Sequence, residues 1–341
     1  MNYARMFCFV VFLFSLSAAV GSAQILGNVP RGWTIHGTDP IEIAYGGRLV
    51  TRYHAGREEG KPYFYPIMGP SGENMTRHWP MNATFKDEET DHPFHRGMWF
   101  ALADVNGYDF WRRPEGGDRD AKEDAGDEKR YGVIRHKGMN GVMIQGPTIT
   151  IRTKSEWLDG ADAEKRICSD EREILLFYRE DGALVLDLTL TLIADAGDVT
   201  IGEEEEAAWA IRMIPTLRLK GKVATGNIVN SEGLKNGEVW GKRAAWVDYY
   251  GLDRGGNAVG IAILDHPTNL RHPTWWHARD YGLLAANPFG QGKYEEEAAE
   301  GAGVHVIPNG EALTFRYRTI FHRGDPETVG IARAFEAFAS K

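Results

Sequence analysis

The chain has 341 residues, with 39 Lys and Arg against 48 Asp and Glu and a formal net charge of −9. This acidic balance without clustered Lys and Arg excludes a nucleic-acid partner or an anionic membrane surface, because phosphate binding draws its affinity from concentrated positive charge. Of the two cysteines, Cys8 falls in an N-terminal apolar run and Cys168 stands alone after it, so stability has to come from a core rather than from disulfides.

Arg5, the apolar run from Met6 to Leu16, and Gly21-Ser22-Ala23 before Gln24 have the layout of a secretory signal peptide. The expectation is a leader over residues 1–23, one β-sandwich domain over 24–341, and a periplasmic or extracellular location. The apolar run is too short to span a bilayer, which takes about 20 apolar residues, so no membrane insertion is expected.

Ile41 to Tyr53 alternates around Gly46-Gly47, which predicts a hairpin whose glycines supply the positive φ of a tight turn. An aromatic strand is predicted over 62–70, followed by a Gly-Pro-Ser-Gly turn and then a strand over 97–103. The stretch from Pro114 to Arg130 mixes charges of both signs with glycines and no large apolar side chain, and it reads as a solvated loop. Strands follow over 141–153, 172–179, 184–193, 212–220, 260–265 and 313–322. The clearest is 184–193, where Leu184, Leu186, Leu188, Leu190 and Leu192 share one face. Glu203 to Glu206 and Glu295 to Glu297 read as solvated acidic faces. At the C-terminus Asp325 can cap a helix, Pro326 fits its first position, and Ile331, Phe335 and Phe338 repeat on one side. The predicted architecture is all-β, a large sandwich or supersandwich with this helix packed outside.

Two segments concentrate chemistry-bearing side chains. One runs from Asp91-His92-Pro93-Phe94-His95-Arg96-Gly97 to Asp104-Val105-Asn106-Gly107-Tyr108-Asp109-Phe110-Trp111, the other from His272 through Trp275-Trp276-His277-Ala278-Arg279-Asp280 to Asn287-Pro288-Phe289-Gly290. Histidines His92, His95 and His277 are suited to proton transfer near neutral pH. Arg96 and Arg279 can grip an anionic or hydroxyl-rich group through a bidentate fork, or pair locally with Asp91 and Asp280. No cofactor motif is present, and His92, His95, His272 and His277 would be the ligands if a divalent metal is bound. Trp79, Trp99, Trp111, Trp240, Trp246, Trp275 and Trp276 lie in or near these segments, and aromatic rings alternating with Asn, Asp, Arg and His suit a sugar better than a lipid. The absence of a phosphate loop, a Gly-x-Ser-x-Gly elbow and a His-Glu-x-x-His helix removes the usual support for nucleotide chemistry, serine hydrolysis and zincin proteolysis.

These motifs, with Trp240-Gly241-Lys242-Arg243, resemble a bacterial family of unknown function that carries the label "methane oxygenase PmoA". The label does not suit a chain without spanning helices. The resemblance implies an exported, carbohydrate-active β-sandwich protein. Phe94 and Leu102 stand where the family pattern has histidines, which argues against a metal cluster.

The reading is therefore a secreted enzyme cleaving glycosidic bonds in a poly- or oligosaccharide. His277, His95 and His92 would transfer protons beside Arg279 and Asp280. Arg96, Asn106, Asp109, Trp111, Lys242, His272, Trp276 and Asn287 would bind the substrate. The alternatives are a polysaccharide lyase, a sugar-epimerising enzyme and a non-catalytic carbohydrate-binding protein.

Overall fold

The computed structural model describes residues 32–55, 60–85, 88–112 and 130–341. The expected leader, Cys8 and the charged stretch 114–129 lie outside these residues. In chain order the strands are β1 (Trp33–His36), β2 (Ile41–Tyr45), β3 (Arg48–His54), β4 (Tyr63–Ile67), β5 (Met98–Leu102), β6 (Tyr108–Asp109) and β7 (Arg130–Gln145). They continue with β8 (Thr148–Asp159), β9 (Arg166–Tyr178), β10 (Leu184–Ile193), β11 (Val199–Ile201), β12 (Ala207–Arg212) and β13 (Asn227–Asn230). The last are β14 (Arg243–Ala244), β15 (Trp246–Leu252), β16 (Ala258–Asp265), β17 (Thr274–Ala278), β18 (Leu283–Asn287), β19 (His305–Ile307) and β20 (Ala312–Arg323). Among the described residues the short α-helices are α1 (Gln291–Tyr294), α2 (Pro326–Val329) and α3 (Ile331–Ala339).

One sheet runs β1-β2-β3-β4-β5-β12-β18-β17-β14 and the other β13-β15-β16-β20-β10-β9-β8-β7-β6. The expected all-β sandwich is what forms. The β2–β3 hairpin turns at Gly46 and Gly47, whose φ values of 57° and 74° match the twist of the flanking strands. Two strand expectations fail for identifiable reasons. Residues 141–153 are not one strand, because the chain turns at Gly146 (φ 57°) between β7 and β8. Residues 212–220 are not a strand, because Pro215 starts a 3-10 turn, Pro215–Leu217, where the missing N–H interrupts any ladder. The strand lies just before, at β12.

The sheets face each other across a core that includes Phe100, Trp209, Trp276, Phe289, Phe315 and the five leucines of β10. Trp209 Nε1 donates to Thr319 Oγ1 at 2.9 Å across it. On the outer face of the second sheet, Ile331 and Phe338 of α3 pack on Val185, Ala262, Leu264 and Ile320, with Phe335 partly buried beside them. Asp325 caps α2 by accepting from Thr328 N at 2.8 Å. Gly330, in the left-handed region, separates α2 from α3, so the single helix expected is two.

Candidate active site

The outer face of the first sheet carries the site. Register places Trp99 of β5, Ala210 of β12, Ala285 of β18 and His277 of β17 side by side, and cross-strand partners share a face. The neighbouring row, Phe100, Trp209, Ala286 and Trp276, faces the other sheet. Three inter-strand steps put the Trp99 and His277 backbones roughly 14 Å apart. The two methyl groups between them leave a shallow floor.

The loop ahead of β5 closes over one end of that floor. Gly97, at φ 55°, packs so tightly on β4 that a Cβ there would collide with the Phe64 carbonyl. Asp91 is its hub. Arg77 donates to Asp91 Oδ1 at 2.7 Å, Arg212 donates to both carboxylate oxygens at 2.9 and 3.0 Å, and His92 Nδ1 lies 2.6 Å from Oδ2. Burial alone would raise the Asp91 pKa, but the His92 hydrogen bond and the Arg212 and Arg77 charges override it and hold the carboxyl well below the usual range. The network keeps His92 at a φ of 46°, which a non-glycine residue adopts only when its surroundings dictate it. With Nδ1–H donated to Asp91, the half-buried ring presents Nε2 to a ligand. Its faces stack on His95 at 4.8 Å and Tyr281 at 5.6 Å.

His95 is fully buried. Arg212 Nη1 lies 3.3 Å from its Nδ1 and the Trp111 indole N–H donates to its Nε2 at 3.3 Å, and because guanidinium and indole only donate, the ring meets a donor at each nitrogen and a neutral imidazole can accept from one of them. Nε2 also lies 3.6 Å from Glu206 Oε1, beyond hydrogen-bond distance. Burial, then the charge of Arg212, pushes the His95 pKa well below 6.5. Glu206 is buried as well, and burial raises its pKa against the pull of Arg112. Its Oε2 forms an ion pair with Arg112 Nη2 at 2.6 Å. Arg112 also binds Asp109 Oδ2 at 3.1 Å, and Asp109 accepts the backbone N–H groups of Trp111 and Arg112. Beneath this cluster the Lys61 ammonium contacts the Trp111 carbonyl and the faces of Phe94 and Trp99, and burial lowers its pKa to about 7.

At the other end, the Tyr294 hydroxyl donates to Glu205 O at 2.7 Å and so accepts from His277 Nδ1 at 3.0 Å. Burial, then Arg279, lowers the His277 pKa to about 3. Asn287 donates its amide N–H groups to the carbonyls of Glu204 and Glu205 at 2.8 Å each, and its Oδ1 accepts from Phe289 N–H. Asn287 and Tyr294 thereby pin the segment that delivers Glu206. The Arg279 guanidinium lies 5.4 Å from the Tyr281 ring and 5.9 Å from the exposed Trp240 ring.

The structure thus brings His92, His95, Arg96, Asp109, Trp111, His277, Arg279 and Asn287 to one face. It places others elsewhere. His272 Nδ1 bonds Asp265 at 2.6 Å and its ring stacks on Phe335 of α3. Trp276 sits in the inter-sheet core with Nε1 on Ala244 O. Asn106 is half-buried and ties its turn to Asp198 and Thr200. Asp280 pairs with Lys220 at 2.5 Å, so it does not neutralise Arg279. Lys242 is exposed near Trp240. With His272 on another surface the four histidines cannot share an ion, and among the described residues no three His, Cys, Asp or Glu side chains could hold one.

Glu206, Arg77, Arg212, Arg112, Tyr281 and Tyr294 escaped the sequence reading. Glu206 was expected in a solvated run, yet Glu203 of the same run also caps Gly292 N at 3.1 Å. The available signal was position, since Glu206 is the last acid before the wholly buried strand Ala207–Arg212.

The buried neutral histidines give a pH dependence of defined sign. An unfolded His277 titrates near 6.5 and the folded one at about 3, so the unfolded state binds the extra proton between these values. Its effect on stability is nil above pH 6.5 and increasingly unfavourable as pH falls toward 3. The stability difference between the parent and His277→Gln should therefore shift in the variant's favour by about 1.4 kcal/mol per pH unit across that window. Parallel stability curves in urea at pH 7 and pH 5 would refute it.

A family model described as a family of unknown function (DUF6807) matches residues 40–336. That match bears no methane-oxygenase label, and among the described residues no helix is long and apolar enough to cross a membrane. No curated protein matches the chain. Among solved structures, an alpha-galactosidase from Lactobacillus brevis aligns at a TM-score of 0.43 and 8% identity, covering 87% of this chain and 40% of its own. A GalM/aldose epimerase homologue from C. elegans aligns at 0.32 and 8%, covering 86% of this chain and 97% of its own. This chain thus spans less than half of the galactosidase.

Proposed function

The chain belongs to the family of unknown function DUF6807, membership that brings no activity with it, and from the site itself we propose an exported enzyme that cleaves glycosidic bonds by proton transfer between Glu206 and His92. The observation that carries this reading is Glu206, a buried carboxyl with a raised pKa, whose Oε1 lies 3.6 Å from His95 and whose Oε2 is ion-paired with Arg112 at 2.6 Å. Two titratable groups with contrasting surroundings are what acid–base catalysis at neutral pH needs. Arg77 Nε and Trp99 Nε1 are buried without hydrogen-bond partners, so two polar atoms of this cluster are left for a polar ligand to satisfy. Trp240 and Tyr281 supply ring faces for the C–H side of a sugar.

In this mechanism the protonated Glu206 gives its proton to the glycosidic oxygen as the bond to the anomeric carbon breaks. His92 Nε2 takes a proton from the water whose oxygen bonds to that carbon. Asp91 fixes the His92 tautomer and stabilises the imidazolium. Arg112, 2.6 Å from Glu206 Oε2, orients Glu206, and His277, neutral and held by Tyr294, braces the opposite wall. The apolar run before Gln24 supports export, which would put the reaction in the periplasm or outside the cell.

The test is incubation of the purified protein with a panel of oligo- and polysaccharides, following reducing ends together with ultraviolet absorbance of unsaturated uronates. New reducing ends without absorbance are expected. Both signals would replace hydrolysis by elimination, and binding without either would make the protein a non-catalytic sugar binder.

A further inference from the structure

We propose that the sugar taken by this cleft is an anion whose carboxylate or sulfate group is bound by Arg279, an inference that rests on the carbohydrate reading above and narrows it to a substrate class. Arg77, Arg212 and Arg112 have acids to answer them. Arg77 and Arg212 share Asp91, and Arg112 has Asp109 and Glu206. Arg279 has no ion pair among the described residues, since its sequence neighbour Asp280 is turned to Lys220. It is half-buried between the Tyr281 and Trp240 rings. Rings against a guanidinium leave its N–H edge as the part that can still donate, and that edge has the fork geometry of a carboxylate or sulfate.

The surrounding charge points the same way. Two buried arginines lean on the single carboxylate of Asp91, with Glu89 reaching only Arg212 at 3.9 Å and itself turned to Arg218. The Lys61 ammonium rests on a carbonyl and two rings. If Glu206 carries a proton, as the acid role requires, the cleft loses a further negative charge. A desolvated cluster with surplus positive charge is stabilised by an anion that brings its own acceptors. Arg279 also stands two residues past His277, at the end of the same strand, and its charge is felt by His277, Tyr281 and Tyr294. The anion would therefore lie across the floor from His92 and Glu206, on the ring being processed or the one next to it.

Calorimetry decides it, with neutral, uronate and sulfated oligosaccharides of equal length titrated into the parent protein, Arg279→Gln and Arg279→Lys. The parent should bind one or both anionic series about 10- to 100-fold more tightly than the neutral one, the worth of a charged hydrogen bond, with a preference that weakens as salt rises. Which anion is preferred identifies the source of the charge. Arg279→Gln should erase the preference, and Arg279→Lys should keep part of it. Equal affinity for neutral and charged sugars in the parent, or a preference that survives Arg279→Gln, overturns the proposal. Should Arg279→Gln not fold, a preference undiminished in Arg279→Lys and insensitive to salt would overturn it equally. Because binding is read without turnover, a protein that prefers anions but cleaves nothing sinks only the hydrolytic mechanism. Cleavage of neutral sugars without charge preference sinks only this inference.

Discussion

Glu206→Gln should lower the cleavage rate by about 10²–10⁴-fold, the usual contribution of a general acid, while the protein stays folded. The amide keeps the size of the side chain and removes only the proton that the leaving oxygen receives. Arg112 would retain Asp109 at 3.1 Å, so no buried guanidinium is orphaned by the change. The same role fixes the pH profile on its alkaline side. Because burial raises the Glu206 pKa, the acid stays protonated above the normal carboxylate range, and activity falls as pH rises through the raised value. An enzyme with full turnover as Glu206→Gln, or one whose alkaline limb is unchanged in that variant, would need another acid. Asp109 is the nearest carboxyl, but two backbone N–H groups and Arg112 already occupy it, which makes it a brace for the Trp111 turn.

The layered β architecture was legible because it follows from local pattern. Period-two leucines in β10 and paired glycines at the β2–β3 turn each specify one geometry. The site was half legible. Both histidine-bearing segments do reach the outer face of the first sheet, as their unusual composition suggested. Glu206 and Arg212 did not stand out, because a lone charge at the edge of an apolar strand looks like ordinary strand punctuation until the register of β5, β12 and β18 sets it beside His95. His272 and Trp276 misled for the converse reason. On a strand, alternate residues face opposite ways, so Trp276 was bound for the core once His277 faced the cleft. His272 precedes β17 altogether and reaches back to Asp265. Asn287 lies at the end of β18 and turns its amide to the backbone that carries Glu206. Residue type foretold polarity there, and only packing could tell support from substrate contact.

Asp91→Asn should cost on the order of 3–5 kcal/mol of stability, the penalty for removing one partner from buried ions. Arg77 and Arg212 have side chains 2% and 1% exposed, and neither can turn to water when the carboxylate goes. Glu89 is too distant from Arg212, at 3.9 Å, to replace it. The sign with pH is fixed by the depressed folded pKa. The Asp91 contribution is complete above the unfolded carboxylate value near 3.8 and is lost only as pH falls below it toward the folded one. Between pH 5 and 8 the stability gap between parent and variant should therefore stay constant, unlike that of His277→Gln. The substitution also removes the acceptor that fixes the His92 tautomer, so turnover should fall about as far as when an orienting triad aspartate is replaced, roughly 10⁴-fold, at temperatures well below the variant's melting point. Urea unfolding and rates measured on the same preparation separate the two effects. A variant as stable as its parent would mean that Asp91 is not the hub of the loop, and a stable variant with full activity would remove His92 from the mechanism as well.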